Sequence, residues 1–419
     1  MNLFKGKSLS NGKQPVTDDS ALNEFLTRGV ENVFPNIEAV KSSLKKGERL
    51  TVYLGVDPTG PNIHLGHVIP IRKLGQLQKL GHKIIFLIGD FTAMIGDPTD
   101  KTAARKQLTR AEVLNNCKKY KEQAGHFIDF SGYNKAEIRF NSKWLGKLSF
   151  EDVVKLASHT TVDQMLKRDM FEKRMSEGKP VYLHEFLYPL MQGYDSVAMD
   201  VDGEIGGNDQ TFNMLAGRDL VKALSGKDKF VLTTKLLVDQ SGKKMGKTEG
   251  NMVSLDQTST DMFGKVMSWS DGLIATGFEL LTDVPMNEIE SMKEKMKNGS
   301  NPRDFKARLA EEIVANVYGR EKSSQAREQF FSIFKEGAIP EDAAKTTAEN
   351  GDKLVDVLLR EKIVSSKGDF RRLVDGNAIS YVGKNETVSD YDFKIEETGT
   401  VRVGKKRFIT ITISDTIIQ

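Results

Sequence analysis

Cysteine is almost absent from this chain: Cys117 stands alone among 419 residues. A lone thiol excludes an internal disulfide and any zinc site built from thiolates. Absence of disulfides fits a cytoplasmic location, which is the expectation here. Long apolar runs are missing as well. No stretch of about 18 apolar residues occurs, so no membrane-spanning helix and no membrane partner are expected. The N-terminal Met1 to Asp18 segment lacks the apolar core of a secretory signal and reads as a polar, frayed leader. Excess charge of one sign is also missing. The 61 basic residues nearly cancel the 58 acidic ones, leaving a net charge of +3, so any anion-binding surface must be local. There is no internal repeat, no Ser-His-Asp arrangement, no acidic metal cluster and no P-loop spacing.

What is present is ordinary globular composition, 38% hydrophobic and 28% charged. The chain is too long for one compact core, and two or three domains are expected. From about Arg49 to Leu237, β-rich apolar runs alternate with helical spacing. Arg49 to Val56 reads as a strand ending in the loop signature Asp57-Pro-Thr-Gly60. Gly66 to Leu80 has helical spacing with a stop at Gly81. Lys83 to Gly89 is nearly continuous apolar sequence, as in a strand buried on both faces. Glu137 to Phe140, Glu204 to Gly206 and Lys229 to Thr234 are further candidate strands. This alternation predicts an α/β fold with a Rossmann-like parallel sheet over residues 1–255, with ligands beyond the carboxyl ends of its strands. Residues 256–335 read as an α-helical domain. The small polar residues of 336–351 read as a linker, and 352–419 as a small α+β unit. That last unit has helical segments at Lys353 to Glu361 and Lys367 to Asp375, then short strands ending at Arg407 to Ile413.

Five constellations fall in loops where chemistry is expected. Asp57-Pro-Thr-Gly-Pro-Asn-Ile-His64-Leu-Gly66-His67 lies between a strand and a helix, where free N–H groups attract anions and paired imidazoles donate to phosphate. A chance His-x-x-His in a turn is the bland alternative. Ser241-Gly-Lys-Lys244-Met-Gly246-Lys247-Thr248 carries three ammonium groups on a glycine-containing loop, suited to clamping phosphates, although a solvated basic loop has the same composition. Tyr188, Gln192 and Asp195 share a helix stripe and suit a small zwitterion, with the Asp195 carboxylate as a candidate partner for an ammonium. Pro189 within that stripe predicts a kink or a helix start. Gly206-Gly207-Asn208-Asp209-Gln210 follows a strand and lets a ligand lie against the backbone. Gly89-Asp-Phe-Thr-Ala-Met-Ile-Gly96-Asp97 is another polar strand-end loop, running on to Lys101 and Arg105. With no evident nucleophile, the set favours positioning and charge stabilisation.

Together these loops resemble the class I aminoacyl-tRNA synthetases, and within them the bacterial-type tyrosyl enzymes. His64-Leu-Gly-His67 is similar to the first class signature and Lys244-Met-Gly-Lys247-Thr248 to the second. The order of Tyr53, Asp57, His64, His67, Asp97, Tyr188, Gln192, Asp195, Asp209 and Gln210 follows the family throughout. The resemblance implies a tyrosine site of Tyr53, Asp97, Tyr188, Gln192, Asp195 and Gln210. In it Tyr53 and Asp195 bond the substrate phenol, and Asp97, Tyr188 and Gln192 take the ammonium. This replaces the ammonium role that the helix stripe alone suggests for Asp195. It implies an ATP site of Gly55, Asp57, Thr59, His64, Gly66, His67, Gly207, Asp209 and Lys247, with catalytic roles for His64, His67, Lys244, Lys247 and Thr248. ATP is implied as a substrate that carries Mg2+, with no tightly bound metal or organic cofactor. The C-terminal unit resembles an S-four-like RNA-binding module, with Arg371 and Arg372 on its RNA-facing helix. The implied activity is ligation of L-tyrosine to tRNA(Tyr) through an adenylate, in a homodimer. Gly246 and Thr248 stand where many class I enzymes have serine, and Asn208 where the tyrosyl family often has Ser or Thr. No charge is lost at these positions.

Overall fold

The computed structural model describes residues 14–99, 107–238, 252–335, 343–382, 386–404 and 407–414. They form two compact units, Met1–Ser323 and Ser324–Gln419.

The first unit is built on a six-stranded sheet. Its strands are β1 (Val30–Phe34), β2 (Thr51–Val56), β3 (Lys83–Ile88), β4 (Glu137–Phe140), β5 (Gly203–Gly207) and β6 (Phe230–Thr234), in the order β1-β6-β5-β2-β3-β4. β2 pairs in parallel with β3 along its whole length, Thr51 opposite Lys83 through Val56 opposite Ile88. β3 is buried from Ile84 to Ile88, as its apolar run predicts for a strand covered on both faces. The helix Leu65–Lys79 connects β2 to β3, and the helices Leu183–Met199 and Thr211–Ser225 flank β5 in the chain. The last two helices approach closely at glycines: a Cβ on Gly193 would stand 2.7 Å from Leu220 Cδ1 and 3.1 Å from Gly217 Cα.

Four expectations need correction. The sheet is not wholly parallel, because β1 runs antiparallel to β6. Polar Glu31 and Asn32, half-exposed edge burial and a register shift between Val30 and Asn32 hide this strand from pattern reading. The segment before Asp18 is not wholly frayed, since Val16 N–H donates to Leu80 O at 2.8 Å and Asp18 caps the helix Asp19–Thr27. Pro189 neither starts nor ends a helix, which runs from Leu183 to Met199 through it. Burial of Tyr188, Leu190 and Asp195 offsets the hydrogen bond that proline removes. The helices from Ser259 to Tyr318 belong to the same compact unit as the sheet. The Arg28 guanidinium ties them in by donating to Phe278 O at 3.2 Å and Thr282 O at 2.7 Å, and Lys235 pairs with Glu279 at 2.9 Å.

The second unit holds a five-stranded sheet of β7 (Ala344–Ala348), β8 (Ile379–Tyr381), β9 (Glu386–Thr387), β10 (Gly399–Val403) and β11 (Arg407–Ile413), in the order β7-β11-β10-β8-β9. The helices Leu354–Arg360 and Lys367–Asp375 supply Leu354, Leu358 and Phe370 to a core shared with Val401, Ile409 and Ile411. The expected linker therefore ends early: residues 344–348 pair in parallel with β11, Ala344 opposite Ile409 through Ala348 opposite Ile413. Lys345, Thr346 and Thr347 read as linker by polarity, but the backbone pairing of an edge strand does not require apolar side chains.

Candidate active site

A crevice opens where the strand order reverses. β2 continues to β3 on one side and lies beside β5 on the other. β2 and β5 register only at Val52 with Gly203 and Tyr53 with Glu204, so their carboxyl ends part. Gly55 is exposed between buried Leu54 and Val56. An exposed residue in the middle of a covered sheet marks open space above it, at the topological switch point where α/β folds bind ligands.

One end of the crevice is arranged for anions. His64 is the N-cap of the helix Leu65–Lys79: its Nδ1 accepts Gly66 N–H at 3.1 Å, while His67 Nδ1 accepts His64 N–H at 3.4 Å. The two rings stack with centroids 3.8 Å apart. With Nδ1 accepting in both, each neutral ring carries its proton on Nε2, which makes Nε2–H a donor suited to phosphate. Lys244, Lys247 and Thr248, with Gly246, lie outside the described residues, as do Lys101 and Arg105. The chain re-emerges beside the histidines: Leu65 N–H donates to Val253 O at 3.0 Å, and His64 bridges to Ser254.

Asp57, at the end of β2, accepts Thr92 Oγ1–H at 2.7 Å and Tyr188 O–H at 2.8 Å. Gly89 is required here. A Cβ at that position would overlap Asp57 Oδ1 and stand 2.5 Å from Thr92 Oγ1. Thr59 is exposed on the same loop, where its N–H donates to Asp57 O at 2.8 Å. Gly207 ends β5 and Asp209 follows it, and a Cβ on Gly207 would stand 2.5 Å from Asp209 Oδ1. Asn208 Oδ1 accepts from Asn32 Nδ2 and Thr211 Oγ1 at 3.1 Å and from Thr233 Oγ1 at 3.2 Å, which secures this turn to β1 and β6.

The other end is buried and polar. Asp195 is 2% exposed; Trp144 Nε1–H donates to its Oδ1 at 2.7 Å and Asn141 Nδ2–H to its Oδ2 at 3.1 Å. Burial pushes this carboxyl up, and the two N–H donors oppose that rise. Tyr53 is fully buried, its hydroxyl 2.9 Å from Ser196 Oγ, and burial and the Glu204 and Asp195 carboxylates raise its phenol well above the ordinary value. Gln192 Nε2–H donates to Glu204 Oε1 at 3.1 Å. Asp97 accepts from Gln210 Nε2 at 2.8 Å and from Thr99 Oγ1 at 2.7 Å. The Tyr188, Gln192 and Asp195 stripe therefore reaches β2, β5 and the turn after β4, respectively. Asn141 joins the two ends, donating to Thr92 Oγ1 at 3.0 Å as well as to Asp195.

Sequence reading missed Asn141, Trp144, Thr92, Ser196, Glu204 and Lys229. Asn141, directly after a strand, was the one visible signal. Arg371 and Arg372 lie in the second unit. Both are exposed; Arg371 sits 5.7 Å over the Tyr391 ring, and Arg372 donates to Asp369 Oδ1 at 2.8 Å.

This architecture, a parallel-sheet crevice with a histidine-capped helix, has the form of a class I synthetase. The family profile of tRNA synthetases class I (W and Y) matches residues 45–335. Tyrosine--tRNA ligase of Carboxydothermus hydrogenoformans is 43% identical over 411 residues, covering 95% of this chain and 99% of that protein. Tyrosine--tRNA ligase 2 of Vibrio cholerae is 43% identical over 398 residues, covering 94% and 99%. The crystal structure of a C-terminally truncated Coccidioides posadasii mitochondrial tyrosyl-tRNA synthetase superposes with a TM-score of 0.61 at 27% identity, covering 74% of this chain and 92% of that one. The chain belongs to the class I tRNA synthetases and, within them, to the tyrosyl-tRNA synthetase family of bacterial type.

Proposed function

We propose that the chain is a tyrosine--tRNA ligase. It activates L-tyrosine with ATP to tyrosyl-adenylate and pyrophosphate, then transfers tyrosine to the 3' end of tRNA(Tyr). The assignment is supported by the histidine-capped helix that follows β2, with His64 and His67 side by side, together with the exposed Gly55 of β2 and the buried carboxyl of Asp195. An anion-binding end and a hydroxyl-reading end suit ATP and a phenol.

In the first step the tyrosine carboxylate attacks the α-phosphorus of ATP in line, and pyrophosphate leaves. His64, His67, Lys244, Lys247 and Thr248 stabilise the charge that shifts onto the β- and γ-phosphates in the transition state. Gly55, Gly66 and Gly207 let the nucleotide approach the backbone, with Asp57, Thr59 and Asp209 around it. Mg2+ enters on the phosphates of ATP. Asp97, Tyr188, Gln192 and Gln210 hold the ammonium end of tyrosine, and Tyr53 and Asp195 its hydroxyl. Phenylalanine would bring no hydroxyl to bond the buried Tyr53 and Asp195 groups, which is the basis of its rejection; tyrosyl-tRNA synthetases are themselves the established example of this effect.

In the second step a terminal ribose hydroxyl of tRNA attacks the carbonyl carbon of the adenylate, its proton is lost, and AMP leaves as the mixed anhydride breaks. Arg371 and Arg372 on the helix Lys367–Asp375 contact the tRNA backbone, and the enzyme acts as a cytoplasmic homodimer. Among the described residues no helix is long and apolar enough to cross a membrane. The deciding experiment is ATP–pyrophosphate exchange screened across the twenty standard amino acids. Exchange should depend on tyrosine; dependence on tryptophan, or on none of them, would overturn the assignment.

A further inference from the structure

Behind the hydroxyl-reading end lies a fully buried ion pair that the chemistry above leaves unused. Lys229, immediately before β6, is 0% exposed at its side chain and pairs with Glu204 of β5, whose side chain is 3% exposed. Its ammonium also donates to Ser196 Oγ at 2.8 Å and sits 5.7 Å from the centre of the Tyr53 ring. The space it occupies is kept by Gly217, where a Cβ would stand 2.9 Å from Lys229 Nζ and 3.3 Å from Ser196 Oγ. Ser196 Oγ is in turn 2.9 Å from the Tyr53 hydroxyl. Glu204 uses its second oxygen to accept Gln192 Nε2–H at 3.1 Å.

We propose that Lys229 is a positioning residue for substrate selection: through Ser196 it orients the Tyr53 hydroxyl as a donor to the bound phenol, and through Glu204 it orients the Gln192 amide. The proton inventory carries this. An ammonium only donates, so it must occupy a lone pair of Ser196 Oγ. That polarises the serine hydroxyl and strengthens it as a donor to the Tyr53 oxygen. With its oxygen accepting, Tyr53 directs its own proton away from Ser196, and a bound phenol competes with the Glu204 carboxylate for it. Asp195, whose two oxygens accept the Asn141 and Trp144 N–H bonds, offers its remaining lone pairs as acceptors to a ligand. A ligand hydroxyl between Tyr53 and Asp195 then receives one hydrogen bond and gives one. A methylated or absent hydroxyl cannot do both.

The charge balance points the same way. Glu204 and Asp195 are two buried carboxylates beside one substrate pocket, and both act on the Tyr53 phenol. Burial lowers the Lys229 ammonium from its ordinary value, and the Glu204 partner, then Asp195, oppose that fall, so the ion pair with Glu204 is what keeps a charge here. A buried pair of this kind adds little net stability over an apolar pair of the same size, but loss of one partner is costly. Its position beside two substrate-facing side chains gives it a selective role instead.

The inference rests on tyrosine being the substrate, and the test separates the two. The variants are Ser196→Ala, which removes one oxygen and leaves the ion pair, and the double variant Glu204→Gln with Lys229→Met, which removes both charges together. Pyrophosphate exchange is measured with tyrosine, phenylalanine and O-methyltyrosine, alongside the KM for ATP and a thermal melt. In both variants the tyrosine-to-phenylalanine ratio of kcat/KM should fall about tenfold or more, with the ATP KM within about twofold of the parent; one charge-assisted hydrogen bond is of that size. A merely structural pair would lower activity toward all amino acids alike. An unchanged ratio in folded Ser196→Ala protein would overturn the positioning role while leaving tyrosine activation intact. A parent enzyme that does not exchange with tyrosine would instead overturn the substrate assignment.

Discussion

Replacing Trp144 by phenylalanine removes one donor from the proposed tyrosine site and little else. The indole N–H donates to Asp195 Oδ1 at 2.7 Å, and the ring packs beside the buried cluster of Tyr53, Ile85 and Leu87. Phenylalanine keeps most of that apolar contact, so the packing part of the stability loss should stay below about 1.5 kcal/mol. A hydrogen bond to a charged group is worth about 1.5–3 kcal/mol. At about 1.36 kcal/mol per decade this predicts a fall of roughly 10- to 150-fold in kcat/KM for tyrosine. The pH dependence should move too. Burial pushes the Asp195 carboxyl up, and the indole N–H is the strongest force holding it down. Without that donor the carboxyl takes up its proton at higher pH, so the acid limb of kcat/KM for tyrosine should shift upward. The assay is pyrophosphate exchange with tyrosine varied at saturating ATP, then ATP varied at saturating tyrosine, each across the acid range. Trp144 serves the hydroxyl-reading end of the crevice, so the KM for ATP should hold. Unchanged kcat/KM for tyrosine, or an ATP KM rising by the same factor, would refute the reasoning.

Gly89→Ala should lower the activation rate by about a hundredfold or more, because its Cβ would overlap the Asp57 carboxylate that holds Thr92 and Tyr188; single-turnover adenylate formation measures this. His82 should make the protein acid-sensitive. It is 0% exposed, its Nδ1 accepts Leu50 N–H at 3.2 Å, and burial, then the nearby Arg49, lower it to about 4. Its folded-state value lies below its unfolded one, so the unfolded chain binds the extra proton first. Stability is full above about pH 6.5 and is lost as pH falls toward about 4, by up to about 3 kcal/mol. Denaturant melts across that range should show the slope in the parent and a shallower one in His82→Gln. A chain ending at Lys335 should keep tyrosine-dependent pyrophosphate exchange and lose most tRNA charging, because the first compact unit contains the whole crevice; equal loss of both activities would count against that division.

Much of this protein could be read from order and spacing along the chain. β2, β3, β4, β5 and β6 fall within a residue or two of their expected positions, because β2, β3 and β6 are short, largely apolar runs and all five are closed by glycine or a polar loop. The helix after His64 is legible for the same reason. β1 and β7 were not legible, because edge strands are held by backbone pairing with a neighbour far away in sequence. Pro189 misled because a local rule about proline cannot weigh the burial of Tyr188 and Asp195. The family, the crevice loops and the stripe of Tyr188, Gln192 and Asp195 were determined by the sequence alone, since each is a local pattern with a fixed period or spacing. Only the tertiary structure decided what those groups touch. Asn141 and Trp144 meet Asp195 across more than fifty positions, and Lys229 meets Ser196 and Glu204 across two elements. Hydrogen-bond partners and buried charge pairs are set by the packing of distant segments, and no local periodicity in the chain records them.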